Sequence, residues 1–306
     1  MLILSRKEVE QLLNPHELLT ALEDGFKALS AGQLDVPPRN QAIAPKGVLV
    51  GMPGRNMSVK LVTVFHENQT VPAHQATITL FDSDTGTPLA FMDGEHITAM
   101  RTAAGAILSI KHLARANSKS LAIIGVGVLG HAHLKMIETL VGIEKIWIAS
   151  RNLAHAQALA AHDSRAHAVD SVRTAVSQAD IVCLCTSSLE PVIESKWLKQ
   201  GVHISSVGYR PPGGELPRDV VEASRIFVES KVAFSDPPVG CSELQGLNPE
   251  TGTELGEVLS KQRAGRTSEK EATLYKSMGH AMEDLVAANL VYQKAIRQGA
   301  GKEIPF

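Results

Sequence analysis

The segment Leu121-Ala122-Ile123-Ile124-Gly125-Val126-Gly127-Val128-Leu129-Gly130 ends an apolar run in the spacing Gly-x-Gly-x-x-Gly. A helix-compatible stretch from His131 to Leu140 follows. That order suits a strand, a tight turn and a helix N-terminus built around a pyrophosphate. Gly125 permits the turn, Gly127 lets backbone approach the phosphates, and Gly130 lets helix pack on strand. The unpaired N–H groups and positive dipole end of the helix complete an anion site. Gly125, Gly127, Val128, Leu129 and Gly130 are therefore candidate dinucleotide contacts.

The next strand ends in Ala149-Ser150-Arg151-Asn152. An NAD site usually carries Asp or Glu here, to accept from the ribose 2′-hydroxyl. This chain offers a hydroxyl and a guanidinium instead. Ser150 can donate to a 2′-phosphate, and Arg151 can neutralise it and stack on adenine. Ser150, Arg151 and Asn152 thus point to NADP(H), with NAD(H) the alternative. The same triplet could also simply cap the following helix.

Three cations stand in places that solvation alone does not explain. Lys60 lies in Ser58-Val59-Lys60-Leu61-Val62-Thr63-Val64-Phe65, where strand alternation puts it on the face of Val62 and Val64. A lysine beside valines needs an anionic neighbour. Arg101 sits on an otherwise small and apolar helix with Ile97, Gly105 and Leu108, and Arg39 follows the stiff pair Pro37-Pro38. Brought together, the three would form a dry pocket for a carboxylate, with arginine giving a bidentate grip. Spacing alone does not show that they converge.

The surrounding pattern has two parts. Up to about residue 112 it reads as a helix from Asn14 to Ala31, strands near 48–52, 58–65, 76–81 and 89–92, a hairpin turn at Asp82–Pro88, and a helix from Ile97 to Leu113. From about residue 117 strands and helices alternate. Strands are expected near 121–125, 144–149, 166–169, 180–186, 203–207 and 225–229, with helical stretches between them, the fourth near 194–199. This predicts a doubly wound parallel sheet with its ligand at the carboxyl ends of the strands. Ser268 and Glu271 have capping-box spacing for a helix, a longer apolar-periodic helix runs from about His280 to Gln298, and residues from Gly299 onward read as loosely held.

Composition narrows the function classes. The chain has 306 residues, 44% hydrophobic and 20% charged, enough for two cores. A net charge of −2 and 4% aromatic residues argue against a nucleic-acid surface. No apolar run approaches the roughly 20 residues of a membrane span, and no secretory segment is evident. Cys183, Cys185 and Cys241 read as reduced core thiols of a cytoplasmic protein. The histidines show no ligand spacing for a metal.

Taken together, the residues resemble the ornithine cyclodeaminase/mu-crystallin family nearly end to end. The resemblance rests on Gly51-Met52-Pro53, Val59 to Phe65, Leu80-Phe81-Asp82 with Thr85-Gly86, and Ile97 to Ala104. It continues through the glycine fingerprint, Ala179-Asp180-Ile181-Val182, Thr186-Ser187-Ser188, Gly265-Arg266-Thr267, Lys276-Ser277-Met278-Gly279 and Glu283-Asp284-Leu285. It implies an α/β protein: a Rossmann-type doubly wound parallel sheet domain (115–284) plus an α+β substrate-binding and dimerisation domain formed by both chain ends (1–114 with 285–306). It also implies a homodimer and a small-molecule carboxylate substrate held by Arg39, Lys60 and Arg101. Thr186, Ser187, Val207, Gly208, Ser277 and Gly279 become further candidate cofactor contacts.

One departure separates branches of that family. Its cyclodeaminases carry an Asp shortly after the Val-Gly of the fifth strand, whereas Ser206 to Leu216 contain none. The ketimine and imino-acid reductase branch, typically NADPH-linked, fits better. The implied reaction is reduction of 1-pyrroline-2-carboxylate or 1-piperideine-2-carboxylate by hydride transfer to C2. Lys60 is the candidate proton source, its pKa lowered by neighbouring arginines and an apolar face, and His74 is the second candidate. Ornithine cyclodeaminase, an alanine-type amino-acid dehydrogenase and a non-catalytic NADPH and ligand binder are the alternatives.

Overall fold

The computed structural model describes residues 1–34, 36–54 and 57–305. The chain opens with β1 (Leu2–Leu4), α1 (Arg6–Leu12) and α2 (Pro15–Ser30). Then come β2 (Asn40–Ala44), β3 (Gly47–Gly54), β4 (Ser58–Val64), β5 (His74–Phe81), β6 (Pro88–Asp93) and α3 (Glu95–Leu113). Alternation begins with β7 (Ser120–Ile124), α4 (Val128–Met136), β8 (Lys145–Ala149), α5 (Leu153–Ala160), β9 (Ala166–Ala168), α6 (Val172–Ser177) and β10 (Ile181–Leu184). It continues through β11 (His203–Ser206), α7 (Arg218–Ala223), β12 (Ser224–Val228), β13 (Gly252–Glu254), α8 (Leu255–Leu259) and β14 (Ala272–Lys276). The chain closes with α9 (Ala281–Gln298) and β15 (Lys302–Glu303).

Two compact units result, one of residues 1–101 with 280 onward and the other of residues 102–279. The expected divisions were 114/115 and 284/285. The observed ones fall inside the continuous helix α3 and just before α9. A helix gives no local sign of where its packing partners change, so the pattern alone could not place the first of these.

In the first unit a seven-stranded sheet runs β15-β1-β6-β5-β4-β3-β2. Side chains alternate across it. Met52, Lys60, Val62, Ile78, Leu80 and Met92 are buried, with Met282, Leu285, Ala288 and Val291 of α9 buried in the same unit. The other face leaves Leu49, Leu61 and Phe91 exposed. The residues from Gly299 onward are not loose as expected. Lys302 and Glu303 pair with β1, and the amino terminus donates to the Ile304 carbonyl at 2.9 Å. Phe306 lies outside the described residues.

The second unit is an eight-stranded parallel sheet, β13-β12-β14-β11-β10-β7-β8-β9. Strands buried on both faces explain the near-continuous apolar runs at Leu121–Ile124 and Ile181–Leu184. Six strands were expected. The two unforeseen strands are β13, at the edge beside β12, and β14, between β11 and β12. There the apparent capping box was misleading: Glu271 does accept from the Thr267 and Ser268 amides, but the turn delivers the chain into a strand rather than a helix. The helical stretch expected near 194–199 shrinks to a single 3₁₀ turn, Ser195–Trp197. Cys183, Cys185 and Cys241 are buried and unbridged, and burial pushes the Cys183 thiol up to about 12.

Candidate active site

The glycine turn in the second unit has the geometry its spacing demands. Gly125 takes φ +103°, and a Cβ there would stand 2.6 Å from the Cys185 carbonyl oxygen. A Cβ on Gly130 would stand 2.2 Å from the Gly125 oxygen, so helix α4 and strand β7 meet backbone to backbone. Gly127 caps α4 with no side-chain bond to the first-turn amides, and a Cβ there would meet nothing within 4 Å. The amides of this nine-residue helix are thus presented at a cleft of about 790 Å³. An anionic dinucleotide fits this cradle in shape and in charge.

The cleft is walled by Gly125 to Gly127, by Ser150 to Asn152 with His155, and by Thr186 to Leu189 with Arg210. Ser150 and Asn152 also serve the cap that the sequence left open as an alternative. Ser150 Oγ receives the Asn152 amide at 3.1 Å, and Asn152 Oδ1 accepts from the Ala154 amide at 2.9 Å. Arg151 is exposed on the wall. Val128, Leu129 and Gly130 form the first turn of α4 and are not among the wall residues. Val207, Gly208, Ser277 and Gly279 are not wall residues either. Gly208 donates its amide to Glu215 at 2.7 Å, while Ser277 Oγ and the Gly279 amide bind Glu229 at 2.6 and 3.0 Å. The sequence reading did not single out His155, Arg210, Glu215, Glu229, Glu243 or Lys276. Buried charge within an apolar strand, as in Ala272-Thr273-Leu274-Tyr275-Lys276, is the signal that could have marked Lys276.

In the first unit Lys60 and Arg101 do converge, and their meeting point is acidic. Lys60 Nζ is 2.7 Å from Asp284 Oδ2. Arg101 Nε donates to Asp284 Oδ1 at 2.9 Å, and its Nη1 donates to Glu283 Oε2 at 2.8 Å. All four residues are buried. Both carboxylates lie in the first turn of α9, where the helix dipole favours negative charge. The site is therefore a compensated cluster rather than the purely cationic pocket expected. Lys60 and Arg101 are balanced by Glu283 and Asp284, and Arg39 is near enough for its charge to act on Lys60.

The electrostatics follow from this packing. Lys60 is lowered to about 8, first by burial and then by Arg101 and Arg39, with Asp284 opposing. Asp284 stays below its ordinary value: Arg101 and Lys60 outweigh the effect of burial. His74, at the start of β5, is pushed down to about 4 by desolvation and then by the charges of Lys60 and Arg101. The glycines alone would not have led to Glu283 and Asp284. Two adjacent acids opening an apolar helix are the local sign of them.

Known proteins resemble this chain along its whole length. Residues 1–299 match the ornithine cyclodeaminase/mu-crystallin family. A Delta(1)-pyrroline-2-carboxylate reductase of Bacillus cereus is 32% identical over 328 residues, covering 100% of each chain. The ketimine reductase mu-crystallin of Mus musculus is 34% identical over 305 residues, covering 94% of this chain and 96% of its own. Among solved structures, the Thermococcus litoralis Delta(1)-pyrroline-2-carboxylate reductase in complex with NADH and L-proline superposes with a TM-score of 0.93 at 33% identity, over 99% of this chain and 100% of that one. By fold and by these matches, the chain belongs to the ornithine cyclodeaminase/mu-crystallin family.

Proposed function

We propose that this protein reduces the C=N bond of a cyclic imino acid, such as 1-pyrroline-2-carboxylate or 1-piperideine-2-carboxylate. The observation that carries the reading is the buried cluster of Lys60 and Arg101 with Glu283 and Asp284, which holds a lysine whose pKa is near 8. A substrate carboxylate is complementary in charge to Arg39, Lys60 and Arg101. Protonating the imine nitrogen makes C2 electrophilic, and Lys60 Nζ is a suitable acid because its pKa lies close to neutral pH. His74 is neutral at pH 7, which leaves it a hydrogen-bonding role rather than that of proton donor. A bound reduced nicotinamide supplies the hydride, and Gly125 to Gly130 with the walls of the cleft are the residues to hold it.

The relatives support this activity: those compared are pyrroline-2-carboxylate and ketimine reductases. Cyclodeamination is disfavoured by the segment Ser206 to Leu216. Its single carboxylate, Glu215, is buried and bound to four donors, so it is not presented to an amine. For the cofactor we favour NADP(H) on the strength of exposed Arg151 beside Ser150, although the Thermococcus relative binds NADH. The exposed apolar face of Leu49, Leu61 and Phe91 supports a homodimer. Buried unbridged thiols agree with a reducing, cytoplasmic setting.

The deciding experiment offers cyclic imines and 2-oxo acids, with and without ammonia, together with NADPH or NADH. Oxidation of the dinucleotide with the preformed imine alone is expected. Turnover of pyruvate that needs ammonia would identify an amino-acid dehydrogenase instead.

A further inference from the structure

One buried carboxylate joins the ends of two neighbouring strands. Glu215 Oε2 accepts from the Thr186 amide at 2.8 Å and from Thr186 Oγ1 at 2.7 Å, just beyond β10. Glu215 Oε1 accepts from Ser206 Oγ at 2.8 Å and from the Gly208 amide at 2.7 Å, at the end of β11. The clamp is itself held. Glu243 Oε1 accepts from the Glu215 amide at 3.0 Å, and Glu243 Oε2 pairs with Lys276 Nζ at 2.7 Å. Lys276 also donates to the Gly208 carbonyl at 2.6 Å and to Ser206 Oγ at 3.1 Å. The two loops leave no slack: a Cβ on Gly208 would lie 2.5 Å from both Glu215 Cδ and the Thr186 oxygen.

Strand order says which part of a dinucleotide these loops would meet. From β7 the sheet runs to β8 and β9 on one side and to β10 and β11 on the other. The direction reverses between β7 and β10, and a dinucleotide lies across such a switch point. Ser150 and Arg151, at the end of β8, take the adenosine side. The loops after β10 and β11 therefore take the nicotinamide side. Both reach the cleft, through Thr186 to Leu189 and through Arg210, and Arg210 Nη1 donates to the Ser187 carbonyl at 2.8 Å.

We infer that Glu215 is a positioning residue for the nicotinamide half of the dinucleotide, locking the loops after β10 and β11 into one wall. The inference rests on the dinucleotide reading of the cleft. A carboxylate is acceptor-only, so its two oxygens match four donors, two of them backbone amides that cannot turn away. Glutamine would set an NH₂ group against either the Thr186 or the Gly208 amide and push one loop out.

The test is binding of NADPH, NADH and ADP-ribose to wild type, Glu215→Gln and Ser206→Ala, followed by tryptophan fluorescence and calorimetry. Glu215→Gln is expected to raise the dissociation constants of both dinucleotides about tenfold or more while leaving ADP-ribose within about twofold. Ser206→Ala removes one donor and leaves no buried amide unpaired; a smaller change in the same sense is expected, and this variant decides the matter if Glu215→Gln does not fold. Equal loss for dinucleotide and ADP-ribose, or a fall in melting temperature with all three affinities intact, overturns the inference by showing a merely structural brace. Failure of wild type to bind either dinucleotide would instead overturn the underlying assignment of the cleft.

Discussion

Lys60 Nζ and Asp284 Oδ2 stand 2.7 Å apart with both side chains almost wholly removed from solvent. The pair couples a strand from the front of the chain to the first turn of its last long helix. Burial and two arginines push the lysine towards its neutral form, and Asp284 alone among the named neighbours of opposite charge holds the proton on. A lysine whose pKa lies near 8 is the outcome.

The first expectation concerns pH. Lys60 must be protonated to donate, so the imine-reduction rate should be flat below about pH 7 and fall as pH rises through about 8. Lys60→Met should abolish that alkaline limb and lower the rate by roughly 10²-fold or more. Rates of dinucleotide oxidation between pH 6 and 10 give both answers, and near-normal turnover in Lys60→Met would remove the lysine from the chemistry.

Asp284→Asn tests the partner. Losing the carboxylate removes the interaction that raises the Lys60 pKa, so the alkaline limb should move to lower pH. Breaking a buried ion pair also costs about 3–5 kcal/mol, so the melting temperature should drop. A less stable protein with an unmoved limb would mean that Asp284 braces the fold without tuning the lysine.

Cofactor choice should hinge on Arg151. On the NADP(H) proposal, its loss removes a charge-assisted contact to the 2′-phosphate, of about 1.5–3 kcal/mol. Arg151→Ala should raise the KM for NADPH about tenfold or more and leave that for NADH within about twofold. The difference should shrink at high salt, because Arg151 is exposed. Wild-type preference for NADH, with no response to the substitution, would show Ser150 to Asn152 to be a helix cap alone.

Gly130→Ala tests the backbone contact. The added methyl would sit 2.2 Å from the Gly125 oxygen, so α4 must move away from β7. Overpacking of this kind costs about 1–3 kcal/mol, and dinucleotide affinity should fall by at least tenfold in a fluorescence titration. Unchanged affinity would place the phosphates elsewhere.

The proposed homodimer is tested at the open sheet face. Leu61 is 42% exposed, and Leu49 and Phe91 on the same face of the sheet are 41% and 38% exposed. Leu61→Glu should convert a dimer to monomer by light scattering after gel filtration. A monomeric wild type at micromolar concentration would leave that face without the proposed role.

Local order settled a good deal. The run into Gly125-Val126-Gly127-Val128-Leu129-Gly130 specified a strand, turn and helix, because glycine spacing and apolar runs act over a few residues. Period-two alternation likewise put Lys60 on the buried face of β4. The same short range explains the misreading at Thr267 to Glu271: the acceptor geometry of a capping box is present, and only the open slot between β11 and β12 makes the next residues a strand. What local order could not contain is which charges meet. Arg101 and Asp284 are 183 positions apart, and Thr186 and Glu215 are 29 apart. Whether a buried cation faces a carboxylate or an empty pocket depends on how distant helices and strands pack. The tertiary structure alone decided that Lys60 and Arg101 meet Glu283 and Asp284, since burial makes isolated charges too costly to leave unpaired.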